Sequence, residues 1–403
     1  METVYRIEPC FPEAVGGEIL DLVAEVARKS EGLGNKLDPR TARSLADLVR
    51  IMSSYYSNLI EGHNTLPRDI EAALDDDLSE DHAKRNLQVE ARIHVDLQHA
   101  IDKKYAAGNL GEPASPEFLL WLHRQFYEAL PEDFRVVHST RPTRTLSVTP
   151  GRFRCEPDEE VTVGLHQPPS AQYVEAFMRR FAGRYDFQKL GFGERIIAIA
   201  AAHHRFNYIH PFVDGNGRVS RLMSHAMALQ SGIGAHGLWS ISRGLARGLN
   251  QGPEGRAEYK AWMNRADAPR EGDFDGRGNL SERALKDYIV WFLKVVVDQI
   301  EFMSSLYDLK TLEARLRRLV EIKTDWRKEA APLLENILRR GEIPRGEASH
   351  ITGLSIRSAS DLLHQLSVDG IIQSDTPKGP VSLRFKAEFA DVLFPRLFPE
   401  RQI

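Results

Sequence analysis

The chain has 403 residues, long enough for two or three domains with well-buried cores. Its 42% hydrophobic and 27% charged residues fit a soluble globular protein, and a formal charge of −4 excludes a global attraction to nucleic acid or anionic membrane. Two cysteines, Cys10 and Cys155, exclude a disulfide framework, and no stretch approaches the ~18 uninterrupted apolar residues of a membrane span. The N-terminus, with Glu2 and Glu8, lacks the apolar core of a signal peptide, so the expected compartment is the cytoplasm.

Residues 1 to about 40 alternate polar and apolar patches, with a helix expected around Ile19 to Ala27. From Thr41 a helical stripe is plain: Leu45, Leu48, Val49, Met52, Tyr56 and Leu59 share one face. That helix should end at Gly62, because glycine is preferred just past a helix. Glu61 then lies in the last turn, where the helix dipole disfavours a carboxylate. Two readings stand for it: a solvated glutamate, or an anion with a cationic partner elsewhere. Residues 65 to 80 read as a turn and a solvated acidic segment, and helices are expected over Leu87 to Lys103 and Pro116 to Ala129, the second opened by Ser115-Pro116. Residues 145 to 169 change character: Pro150-Gly151 marks a turn, and Phe153, Val161, Val163 and Leu165 alternate as in a hairpin. Helix resumes over Tyr173 to Phe181 and Glu194 to Tyr208.

The string His210-Pro211-Phe212-Val213-Asp214-Gly215-Asn216-Gly217-Arg218-Val219-Ser220-Arg221 is the most informative of the chain. Pro211 ends the preceding helix near His210. Gly215, Asn216 and Gly217 suit unusual backbone angles with free amides, and Val219, Leu222, Met223, Ala226 and Met227 open a second amphipathic helix. The stretch reads as helix, glycine nest, helix, with the nest aimed at an anion. Arg218 and Arg221 sit in the first turn, where a cation is unfavourable by roughly 0.3–1 kcal/mol unless an anion offsets it. That anion is either a nearby carboxylate or a polyphosphate. In the second case Asp214 offers a hard oxygen to Mg²⁺ and His210 a base. His203 and His204 invite a zinc site, but adjacent helical residues diverge by about 100° and are better read as packing.

Beyond this, Asp273 to Asn279 resembles a calcium loop but has Arg277 and Ala284 where oxygen ligands are needed, so a turn capped into the next helix at Ser281 is expected. The run Tyr288 to Val297 begins a long helix reaching toward Arg318. The last ~75 residues read as a separate module: helices at Ala331 to Arg340, Arg345 to Ile351 and Ile356 to Asp369, then two short strands within Ile371 to Phe385, the pattern of a winged helix-turn-helix. Ser355, Arg357, Ser358, Ser360 and His364 would lie on or near its recognition helix. Acidic and basic side chains are equal in number over 330–403, so no basic footprint supports DNA binding.

The 210–221 string resembles the Fic motif, His-x-Phe-x-Asp/Glu-Gly-Asn-Gly-Arg-x-x-Arg, at every fixed position. Ser57-Asn58-Leu59-Ile60-Glu61-Gly62 resembles the Ser/Thr-x-x-x-Glu-Gly/Asn inhibitory motif of the same family. The resemblance implies a mostly helical Fic core with a β-hairpin flap and transfer of AMP from ATP to a Tyr, Ser or Thr hydroxyl of a protein. His210 would be the base, Asp214 the Mg²⁺ ligand and Phe212 a core anchor. Gly215, Asn216, Gly217, Arg218 and Arg221 would hold phosphates. Glu61, flanked in its motif by Ser57 and Gly62, would inhibit by pairing with Arg221. The expected division is a helical N-terminal region over 1–110 with the inhibitory helix at about 42–61, a catalytic core over 111–325 with the flap at about 150–169, and the winged-helix module over 326–403. Ser242 to Gly255 would close the site near the nucleotide. A target protein would dock at the flap, with self-modification, reversal of the transfer and a homodimer as further expectations. The alternatives are a DNA-binding regulator with a nucleotide-sensing core, and the same chemistry with another donor.

Overall fold

The computed structural model describes residues 2–140, 143–164, 166–250, 252 and 254–399. Helices dominate. In chain order they are α1 (Gly17–Gly32), α2 (Pro39–Glu61), α3 (Pro67–Leu74), α4 (His82–Ala106), α5 (Pro116–Ala129), α6 (Val174–Arg184), α7 (Phe192–Ile209), α8 (Asn216–Gln230), α9 (Ile241–Arg247), α10 (Gly255–Ala266), α11 (Glu282–Leu306), α12 (Leu309–Ile322), α13 (Ala330–Arg340), α14 (Ala348–Thr352), α15 (Ile356–Val368) and α16 (Ala390–Leu393).

The core is built around α7. Every residue from Ile196 to Phe206 is buried, as expected of a helix apolar on all faces. It packs on α8, which follows it through the 210–215 loop, and on α1, α6 and α11. On the other side of α8 lie α4 and α2. Asp38 caps α2 by accepting from Arg40 N–H, Pro39 takes the first helical position, and Gly62 ends the helix at φ 92°. Thus two helix ends meet near the centre: the C-terminus of α2 and the N-terminus of α8.

Four expectations need correction. Residues 67–74 form α3, opened by Pro67, where a turn was expected. The hairpin does not lie at 150–169; its strands are β1 (Val136–Thr140) and β2 (Thr143–Ser147), antiparallel with Val136 opposite Ser147. In 150–169 the described residues make only an isolated bridge, Val163 to His166, and Leu165 lies outside the described residues. The long helix from Tyr288 breaks at Asp308, whose carboxylate accepts from Thr311 N–H and starts α12.

The last 75 residues contain the expected helices, α13 to α15, and a three-stranded antiparallel sheet. Its order is β3 (Glu342–Ile343), β5 (Val381–Leu383), β4 (Ile372–Gln373). The fourth correction concerns their separateness, because they share one buried apolar cluster with the rest. Tyr56 on α2 donates its hydroxyl to Leu397 O at 2.8 Å, Tyr55 stacks edge-on against Phe398, and Thr41 donates to Leu338 O at 3.0 Å. On α3, Glu71 accepts from Ala387 N–H at 2.7 Å. No helix of the described residues is long and apolar enough to cross a membrane.

Candidate active site

α7 ends where His210 takes a left-handed conformation, φ 50° and ψ 61°, before Pro211. Its last carbonyls are met by a buried cation: Arg154 Nε donates to His210 O at 2.8 Å, and Nη2 donates to Ile209 O at 3.1 Å and Pro169 O at 2.5 Å. Asn216 then braces the loop from within, accepting from Phe212 N–H and donating to Phe212 O, both at 2.9 Å. Phe212 is fully buried and stacks flat on His123, ring centres 3.9 Å apart, with Phe153 on its other flank. His123 also accepts from Gly151 N–H at 2.9 Å and faces Asp214 O at 3.3 Å. Of the three nest residues only Gly215 has positive φ, at 83°; Asn216 and Gly217 already belong to α8. A Cβ on Gly215 would lie 2.7 Å from the Tyr127 ring, so the close approach itself demands glycine. The first intrahelical bond of α8 is Val219 N–H to Gly215 O, which leaves the preceding amides facing outward at the positive end of the dipole.

Around that end the charges are arranged in pairs. Tyr127 donates its hydroxyl to Asp214 Oδ2 at 2.6 Å, and Arg218 Nη1 lies 3.6 Å from the same oxygen. Burial opposes ionisation of Asp214, but Arg218, Tyr127 and the Gly215 amide hold its carboxyl below the usual carboxylate range. Arg218 itself is buried and meets the fully buried Glu90 of α4 at 2.5 Å. Arg221, also buried, donates to Glu61 Oε1 at 2.6 Å, to Ser57 Oγ at 3.0 Å and to Ser57 O at 3.2 Å. A Cβ on Gly217 would come within 2.3 Å of Glu61 Oε1, so that carboxylate rests on the first turn of α8. Burial raises the Glu61 carboxyl, yet Arg221 and Arg218 outweigh it and keep it below its usual range. Both motif arginines therefore meet carboxylates, but unequal ones. Glu90 is sealed in, whereas the Glu61 side chain is 31% exposed at a helix end.

His210 stands at the other end of the loop. Burial first, then Arg154, lowers it to about 4, so it is neutral near pH 7. Its Nδ1 faces Asn207 O at 3.4 Å, which leaves Nε2 as the bare acceptor. Beside it opens a cavity of about 330 Å³, lined among others by Asn207, Tyr208, Tyr259, Lys260, Met263 and Asn264. Asp214 suits a Mg²⁺ ion: one oxygen is fixed by Tyr127, and the side chain is 44% exposed with a carboxyl kept ionised.

The expected residues Ser57, Glu61, Asp214, Gly215, Gly217, Arg218 and Arg221 come together, with Gly62 as the cap of α2. Asn216 is nearby but its side chain serves the loop. Arg243 and Arg247, from the segment expected to close over the nucleotide, instead line a cleft with Asp298, Phe302 and Arg396. His203 faces Ser224 and Tyr259, and His204 faces Met263 O and Asp267. No group of three metal-ligating side chains occurs among the described residues. Tyr127, His123, Glu90 and Arg154 are the functional supports that sequence reading missed. Tyr127 and His123 carry a faint signal, four apart on one face of an apolar helix, while Glu90 has none that spacing could reveal.

These features define a mostly helical protein with a glycine-bearing loop, flanked by buried arginines, between two core helices. Residues 113–228 match the family model described as Fic/DOC family. That matched stretch contains the 210–221 string, all of α7 and nearly all of α8. The chain is similar to proteins named "Protein adenylyltransferase Fic", being 34% identical over 82 residues to that of Drosophila erecta and 35% identical over 82 residues to that of Culex quinquefasciatus. Each match covers 20% of this chain, which spans 16% of the length of these curated relatives. The fold resembles that of a Fic family protein from Desulfovibrio desulfuricans, TM-score 0.51 at 17% identity, over 93% of this chain and 98% of that one. A Fic domain containing signaling protein from Bacteroides thetaiotaomicron gives TM-score 0.51 at 16% identity, over 70% and 96%.

Proposed function

We propose that the protein transfers AMP from ATP to a protein hydroxyl, and that Glu61 restrains the reaction. The observation that carries this reading is the carboxylate of Glu61 on Arg221 and over Gly217, an anion lodged where an outer phosphate would bind, on the same loop as a neutral His210. In this reading Nε2 of His210 takes the proton of the attacking hydroxyl. The oxygen bonds to the α-phosphorus as the α–β bridging bond breaks, and pyrophosphate leaves. The outward amides of α8 and Arg221 hold the outer phosphates, which is stabilisation by preorganised dipoles and charge. Asp214 would hold Mg²⁺, which supplies further neutralisation of phosphate charge when bound. The cavity beside His210 would take the nucleoside, and its size falls at the lower end of the usual ~300–1,000 Å³ for ligand sites. A target segment would pair with an outer edge of the β1–β2 hairpin, since neither strand has a second partner among the described residues.

The test is incorporation of α-labelled ATP into the protein itself and into lysate proteins. Glu61→Gly should raise incorporation at least about tenfold, the worth of a lost charge-assisted pair of roughly 1.5–3 kcal/mol. Adding His210→Ala should abolish it while ATP still binds. Equal incorporation with and without His210 would sink the mechanism.

A further inference from the structure

Glu90 divides its carboxylate between a guanidinium and an imidazole. Oε1 lies 2.5 Å from Arg218 Nη2, and Oε2 lies 2.6 Å from His63 Nδ1. Glu90 has no solvent exposure, so neither contact is a fleeting surface pair. Its two partners belong to the two halves of the site. Arg218 is in the first turn of α8, three residues before Arg221. His63 follows Glu61 by two residues in the turn that ends α2, and its own N–H closes that turn on Asn58 O at 2.9 Å. One side chain of α4 thus touches the phosphate-binding end and the restraining end together.

We propose that Glu90 is a positioning residue that aims Arg218 at phosphate with one oxygen and latches the Glu61 turn through His63 with the other. The proposal rests on the AMP-transfer reading and names how its restraint is set. Removing Glu90 deprives Arg218 of its only buried carboxylate partner among the described residues, leaving Asp214 at 3.6 Å. Removing the His63 contact frees the turn that carries Glu61 while leaving Arg218 in place. The two contacts therefore predict different phenotypes.

The latch depends on pH through His63, whose side chain is 33% exposed. The hydrogen bond to Glu90 raises its pKa above the usual 6.5; burial and Arg218 of α8 oppose this, and Glu61 of α2 reinforces it. From the 132–135 turn the Phe134 ring meets it edge-on. Below that raised value the contact is a charged pair. As pH rises through it the charge is lost, the bond weakens, and the Glu61 turn loosens. His210, lowered to about 4, does not titrate in this range.

The experiment uses the full chain, alone and with Glu61→Gly, each combined with His63→Gln or Glu90→Gln. With ATP and Mg²⁺ between about pH 6 and 9, parent activity should climb toward that of Glu61→Gly, by about threefold to tenfold. His63→Gln should sit near the high-pH level throughout, and should change nothing once Glu61 is glycine. In the Glu61→Gly background, Glu90→Gln should raise KM for ATP about tenfold with kcat little altered, and Glu90→Asp should recover part of it. A histidine-labelled NMR titration should show His63 above its ordinary value, falling in Glu90→Gln. That readout and ATP affinity do not need turnover, so absence of any AMP transfer would overturn the activity without overturning the latch. A parent pH slope that survives His63→Gln, an unchanged KM on Glu90→Gln, or a His63 titration indifferent to Glu90 overturns the proposal.

Discussion

The Asp214 carboxylate owes its direction to Tyr127, whose hydroxyl donates to Oδ2 at 2.6 Å, and Tyr127 in turn forbids any side chain at position 215. Gly215 is legible in the sequence because so few residue types satisfy a tight-turn requirement, and it takes φ 83°. Tyr127 is not, since an aromatic on an apolar helix face is ordinary core, and only the loop brought to it from 87 residues away gives its hydroxyl a task. We predict that Tyr127→Phe leaves the fold intact and raises the Mg²⁺ concentration needed for half-maximal activity by about tenfold, the worth of one hydrogen bond to a charged group. A magnesium titration of both proteins checks this; coincident curves would assign Tyr127 to packing alone.

At the scale of elements, the end of α2 and the start of α5 are where their signals place them, because Gly62 and Ser115-Pro116 are strong local signals, while the Asp38-Pro39 cap opens α2 a little before the expected start. The hairpin is misplaced by the same kind of reasoning. Val161 and Val163 alternate without a partner strand, while β1 and β2 form because each supplies the other's hydrogen bonds, a pairing that alternation alone does not contain. The α11–α12 break is hidden because leucines keep helical spacing across it, although Asp308 carries a capping signal. Helices α4, α5 and α7 each bury a histidine: burial lowers His94 to about 3, His123 to about 4 and His203 to about 3. In the unfolded chain each binds its proton near 6.5, so below that pH the unfolded state holds more protons and stability falls as pH drops. Urea unfolding should show a midpoint lower at about pH 5 than at about pH 7, with proton uptake on unfolding. No change across that window would mean that these rings are protonated in the fold.

For the whole molecule, the expectation of a detachable C-terminal module gives way to a shared core. Local patterns mark where helices start and stop, but not that Leu397 and Phe398 are buried with Tyr55 and Tyr56 of α2. A chain ending near residue 325 should therefore unfold at lower temperature than the full chain and bind a hydrophobic dye. It should also show weaker restraint by Glu61, because the helix that presents it loses one flank. An unchanged melting temperature would restore the module's independence.

Glu61 can also be viewed as a ligand that never leaves. A carboxylate carried on a helix end faces Arg221 at an effective concentration on the order of millimolar or above, set by geometry and indifferent to dilution. In the AMP-transfer proposal, free ATP would compete against that fixed value, so a change in ATP supply would move the balance only in proportion. A displacement of α2 moves it by changing the effective concentration itself. Under that proposal the balance would respond to force on one helix more than to nucleotide abundance, and the flanks of α2 are where such a force would enter.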